Sequence, residues 1–185
     1  ALLALLESPT IASKRWVYEQ YAATVQAATV LPPGGDAGVL LVPGQKFGLA
    51  LSVDCNQRYV ALDPYEGGKI AVAEAARNVA CSGAEPLSIT NCLNFGNPMN
   101  PEIFWQLKKC IEGLRDACNV FETPVSGGNV SLYNQNPKGA IDPTPTIGMV
   151  GLLEDIDKRV PSHFQSEGDI IFLLGSTQNE IGGSH

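Results

Sequence analysis

Apolar residues fall into short runs, where strands are expected, and two long stretches at helical spacing, separated by Gly, Pro and Asn clusters. After the turn cluster Pro32-Pro33-Gly34-Gly35-Asp36, Val39–Val42 and Phe47–Val53 read as strands divided by Pro43-Gly44. A further short strand is expected at Tyr59–Leu62, ahead of the Asp63-Pro64 break. From Glu66 to Cys81, Ile70, Ala73, Ala76, Arg77 and Ala80 recur at helical spacing, and Ser82-Gly83 supplies a stop. Its small residues permit close packing on a sheet. Leu87–Leu93 is the next strand. Asn100 then caps a helix, with Pro101 in its first turn and Glu102 facing the positive end of the dipole. The stripe Ile103, Leu107, Cys110, Ile111, Leu114 and Cys118 gives that helix one buried face. Val125–Tyr133 and Thr146–Leu153 close the pattern as strands around a polar turn at Asn134–Gly139. This order predicts an α+β fold, a mixed sheet with helices on one face.

The flanks read differently. Residues 1–30 form a lead-in arm, with a short helix expected from Thr10 to about Tyr21. Residues 31–153 are the main domain, and 154–185 a linker followed by the start of another domain. There the polar connector Asp155–Glu167 leads to one apolar run, Asp169–Leu174, which reads as a strand, and one strand cannot make a core. Without an initial Met, and ending on Ile181-Gly-Gly-Ser-His185, the sequence reads as a fragment.

Composition narrows the function. With 185 residues, 44% hydrophobic and 17% charged, the chain can bury one solid core. No stretch approaches the roughly 18 apolar residues that span a bilayer, and the Ala1–Leu6 run lacks a basic flank and a cleavage site. A net charge of -7 disfavours nucleic acid, so a bound phosphate compound would be neutralised by backbone amides or metal ions. Five cysteines without a C-x-x-C pair argue for reduced thiols and a cytoplasmic protein.

The sharpest chemical signal is Pro124-Val-Ser-Gly-Gly-Asn-Val-Ser131. Paired glycines let backbone N–H groups approach a phosphate, and the Asn129 side-chain oxygen suits Mg²⁺. In a strand, Ser131 would share Asn129's face. The plain alternative for Gly-Gly-Asn is a turn. Thr90-Asn-Cys-Leu-Asn-Phe-Gly-Asn-Pro98 puts three amides near a strand end, although Asn94, Gly96 and Asn97 are expected simply to build the turn. Glu66-Gly-Gly-Lys69 fails as a phosphate loop, since Asp63 stands where Gly is needed and Ile70 follows the Lys. Close packing is the expected role of Gly67 and Gly68. Asp36 and Asp54 read as turn formers and His163 as solvated. No Ser/His/Asp, Cys/His or HExxH set can be assembled, so no catalytic residue is assigned.

Taken in order, Asp63-Pro-Tyr-Glu-Gly-Gly68, Ala80-Cys-Ser-Gly-Ala-Glu-Pro86, Leu93-Asn-Phe-Gly-Asn-Pro98, Ser126-Gly-Gly-Asn-Val-Ser-Leu-Tyr133 and Pro143-Thr-Pro-Thr-Ile-Gly-Met-Val-Gly151 resemble one family. It is the small bacterial synthetase subunit of phosphoribosylformylglycinamidine synthase. The resemblance covers nearly the whole chain and implies the N-terminal domain of the second of two related halves, with a fold like aminoimidazole ribonucleotide synthetase. Its sheet is expected to pair with that of the first half into a closed barrel.

The implied reaction joins glutamine-derived ammonia to formylglycinamide ribonucleotide at the expense of ATP, with Mg²⁺, through an iminophosphate. The implied partners are the first half, a glutaminase subunit and a small accessory subunit. A homodimer of the fragment through the exposed sheet is a further expectation. By resemblance, Asn91 and Gly128 contact ATP, Asn129 holds magnesium and Ser131 contacts the ribonucleotide. At Asn91 other members carry Asp, and a neutral amide there can hydrogen-bond but supplies no negative charge. The family's catalytic histidines belong to the first half, so this segment alone is expected to be inactive. The alternatives are another member of the same ATP-binding superfamily, such as selenophosphate synthetase, thiamine-monophosphate kinase or a hydrogenase maturation factor, and a non-catalytic pairing domain.

Overall fold

A computed structural model describes residues 2–20 and 22–179. Two short helices lead in, α1 (Leu2–Glu7) and α2 (Arg15–Tyr18), both without buried residues. Strands β1 (Thr29–Leu31), β2 (Gly38–Leu41) and β3 (Gly48–Asp54) follow, then helices α3 (Gln57–Leu62) and α4 (Pro64–Cys81). Next come β4 (Glu85–Asn94), α5 (Pro101–Phe121) and β5 (Val125–Ser131). A two-residue ladder, β6 (Gln135–Asn136) with β7 (Gly139–Ala140), precedes β8 (Thr144–Leu153).

The sheet order is β1-β2-β3-β8-β4-β5, antiparallel throughout except for the parallel pair β4–β5 that α5 connects. This is the mixed α+β sheet that the pattern predicts. Burial in β8 alternates strictly, with Ile147, Met149 and Leu153 facing the helices. Asp63 caps α4 by accepting from the Tyr65 and Glu66 N–H groups, so Asp63-Pro64 opens a helix instead of breaking the chain.

Glycine and alanine bring the layers together. The Ser52 hydroxyl donates to the Ala75 carbonyl oxygen at 3.0 Å, tying β3 directly to α4. A Cβ at Gly68 would lie 2.7 Å from the Cys110 carbonyl oxygen, and one at Gly67 would lie 2.5 Å from Val60 Cα. Both glycines therefore serve packing, as expected.

Three local expectations are corrected. Tyr59–Leu62 is helix α3, because the Asn56 side chain accepts from the Arg58 and Tyr59 N–H groups and starts a helix. Asp169–Leu174 forms no strand and stays exposed, having no neighbour to pair with. The lead-in helix shrinks to α2, and the expected end at Tyr21 lies outside the described residues. Ile181–His185 also lie outside them. Among the described residues no helix is long and apolar enough to cross a membrane.

Candidate functional site

Strand β5 is the edge of the sheet, and Val125 to Val130 are all exposed. Among the described residues its only partner is β4, with Asn91 opposite Gly128, Cys92 opposite Asn129 and Asn94 opposite Ser131. Side chains alternate across a strand. Ile89 and Leu93 belong to the helix-covered core, so Asn91 between them points to that side. Thr90, Cys92 and Asn94 point to the bare face, and Asn129 and Ser131 point there with them.

The four residues singled out by sequence thus divide. Asn129 and Ser131 share the bare face. Asn91 lies behind the sheet against Gly128, where a Cβ on residue 128 would come 2.2 Å from the Asn91 side-chain oxygen. The Asn91 carbonyl oxygen would lie 2.4 Å from the same Cβ, and this backbone contact is what requires glycine at 128. Gly127 has no atom within 4 Å of its missing Cβ, so its backbone lies open. The strand around Asn129 is not sealed beneath other residues.

A depression of about 330 Å³ lies here, lined by three of the four sequence-predicted residues, Asn91, Gly128 and Asn129, together with Val53, Thr90, Cys92, Thr146 and Gly148. Its polar groups are hydroxyls, amides, a thiol and main chain. A negatively charged ligand would therefore be met by dipoles and any accompanying cation. Sequence reasoning missed Thr90, Cys92, Thr146 and Gly148; the alternation of Thr90, Cys92 and Asn94 along β4 was the available signal. Ser131 sits beyond the depression, where the Asn134 amide donates to its hydroxyl oxygen at 3.0 Å and to the Phe95 carbonyl at 3.2 Å.

Roomier hollows of about 340 and 400 Å³ flank the Pro33–Ala37 turn, and Asp36 lines both. Neither contains any of the residues 127–131, so size alone does not locate the chemistry suggested by the glycine strand.

Other candidates take bland roles. Asn97 accepts from the Met99 N–H, and the missing Cβ of Gly96 would lie 2.6 Å from that of Ala140, so this loop is a packed turn. Asp54 ends β3 and accepts from the Asn78 amide at 2.9 Å; it forms no turn. Beside it, burial pushes the Cys55 thiol up to about 11, helped by the Glu74 and Asp54 charges. Burial also raises the Glu74 carboxyl, with the Asp54 charge adding to the effect. Cys110 is pushed to about 12, chiefly by burial. The two thiols are held in their protonated forms. His163 is exposed.

Among the described residues no three His, Cys, Asp or Glu side chains gather to hold a metal. The uncharged oxygens of Thr90, Asn129 and Thr146 fit a Mg²⁺ ion that retains waters and takes one or two protein ligands.

A sheet sealed by helices on one face, with a glycine-rich edge strand and uncharged oxygen donors on the other, defines a class of α+β domain with one open sheet face. Within that class, the chain belongs to the AIR synthase related protein family, whose N-terminal domain matches residues 34–153. Its α+β fold is that of this N-terminal domain.

Among solved structures, the chain is similar to PurLQS from Thermotoga maritima at 36% identity, with a TM-score of 0.74 over 80% of this chain and 25% of that one. T. maritima PurL complexed with ATP matches at 37% identity and a TM-score of 0.68, covering 77% of this chain and 23% of the other. Phosphoribosylformylglycinamidine synthase II from the same organism matches at 38% identity and a TM-score of 0.62, covering 69% and 21%. The chain spans about a quarter of the length of the solved chains it matches.

Proposed function

We propose that this chain is a nucleotide-binding domain of a phosphoribosylformylglycinamidine synthase, the ATP-dependent ligase that uses glutamine-derived ammonia in purine biosynthesis. The observation that carries this is the open, glycine-exposed β5 with Asn129 facing a depression free of acidic side chains. Similarity to PurL complexed with ATP and to PurL complexed with FGAR supports the ligand classes.

In this reading Asn129 would hold Mg²⁺ that accompanies ATP, and the Gly128 main chain would contact ATP. Mg²⁺ would neutralise phosphate charge, and the strand's part is to position it. Asn91 lines the same depression as Gly128 and Asn129, with its side chain turned toward the helix side, and in this reading it contacts ATP there. Ser131, beyond the depression, is assigned to formylglycinamide ribonucleotide. That assignment puts the two ligands along one strand.

This segment contributes binding and orientation, and no general base. The first half of the synthetase completes the site by pairing its sheet with this one into a barrel. Glutaminase and small accessory subunits complete a cytoplasmic assembly, and the isolated segment is inactive. Exposed Leu51 and Val53 on the bare face support pairing and also favour a second reading, a purely structural pairing domain able to form homodimers.

Calorimetry on the full-length chain that carries this segment separates the readings. Mg·ATP binding that weakens sharply when Mg²⁺ is chelated and when Asn129 is changed to Ala supports the first. Binding indifferent to both changes overturns it in favour of the pairing domain.

A further inference from the structure

Whether Asn129 can serve as a ligand depends on which way β5 is turned, and one extra residue sets that direction. Ile89 pairs with Val125 while Thr90 pairs with Gly127, so Ser126 is an unpaired bulge in β5. A one-residue slip in a strand sends every later side chain to the opposite face. With the bulge, Asn129 and Ser131 stand on the bare face. Without it, Gly128 and Val130 would stand there and Asn129 would turn toward the helices. Bulges recur beside active sites because they re-aim side chains.

Two hydroxyls hold this bulge from its two sides. Ser126 Oγ donates to the Ile89 carbonyl oxygen at 3.0 Å, and Thr90 Oγ1 donates to the Gly127 carbonyl oxygen at 3.2 Å. Both bonds cross from one strand to the other at the register shift. Gly127 and Gly128 come next, and glycine gives a strand no side chain with which to hold its register. Strand β5 has a neighbour on one side only, so no second ladder corrects a slip. Thr90 is itself braced, since its methyl lies 2.9 Å from where Gly148 would carry a Cβ.

We infer that Thr90 and Ser126 are positioning residues whose hydroxyls lock the bulge that presents Asn129 and Ser131 to the ligand groove. The inference rests on the function proposed above. A merely structural role would lower stability on loss of the hydroxyls and leave ligand affinity alone. A register role moves affinity and displaces Asn129.

The test uses the full-length chain with Thr90→Val and Ser126→Ala combined. Valine keeps the shape of threonine, and only the hydroxyls are lost. The dissociation constant for Mg·ATP is expected to rise about tenfold or more, from two lost hydrogen bonds, and a crystal structure to show Asn129 off the bare face. The hydroxyl-keeping pair Thr90→Ser with Ser126→Thr is expected to stay within about threefold of the unaltered protein. Unchanged affinity in the Val/Ala variant, or a retained bulge with Asn129 in place, overturns the inference. Should that variant fail to fold, the two single substitutions carry the same readouts. An unaltered protein that binds no Mg·ATP overturns the proposed function instead, and the crystal structures then decide the inference alone.

Discussion

Gly113 and Gly127 are the same residue in opposite surroundings. On the helix side, a Cβ at Gly113 would stand 2.1 Å from the Tyr65 carbonyl oxygen, backbone against backbone, where α5 crosses α4. On the bare side, a Cβ at Gly127 would meet nothing within 4 Å. The first glycine is explained by the absence of room. The second has room to spare, so packing does not explain it; the function proposed above accounts for it by close approach of a ligand. The helix side is governed by fit and the bare side by access.

The largest test of this contrast is Gly113→Ala, which forces α4 and α5 apart along their length. A loss of about 3 kcal/mol in urea unfolding is expected, as for overpacked cores. A loss below about 1 kcal/mol would show that the two helices separate easily and that the contrast is overdrawn. Next is Asn129→Ala, expected to leave stability within about 0.5 kcal/mol while weakening Mg·ATP binding to the full-length chain about tenfold. A parallel fall in stability would place Asn129 among the residues governed by fit.

The buried thiols sharpen the helix side through pH. Cys110 titrates near 12 and Cys55 near 11 in the folded chain, above the ordinary thiol value of 9.0. Unfolded thiols ionise first, so the stability these two contribute is complete below pH 9 and declines as pH rises toward 12. Urea unfolding at stepwise higher pH should show this decline, and Cys110→Ala should flatten it. At pH 8, exposed Cys81 and Cys92 should react with iodoacetamide well before Cys110. The smallest effect belongs to Gly127→Ala, expected to raise stability by about 0.5 kcal/mol through a stiffer unfolded chain. A marked loss there would mean that the space is not free.

Much of the helix side was legible in the sequence. The stripe from Ile103 to Cys118 and the Asn100-Pro101 start foretold α5 because apolar spacing and a cap both act locally. Tyr59–Leu62 misled because aromatic and branched residues suggest a strand, while the deciding bond comes from Asn56 before them. The short β1, Thr29–Leu31, passed unnoticed, since three residues carry little pattern. On the bare side the motif was legible and its orientation was not. That Asn91 and Asn129 face opposite ways follows from pairing between distant segments and from the bulge at Ser126, and no local spacing encodes either.

Ile170–Leu174 carries five consecutive apolar side chains, each at least three-quarters exposed. Such a tract, lacking charge and proline, can nucleate intermolecular β-stacking at high concentration wherever it is left uncovered. Ending a recombinant version before Gly168 should improve its solubility and shelf life.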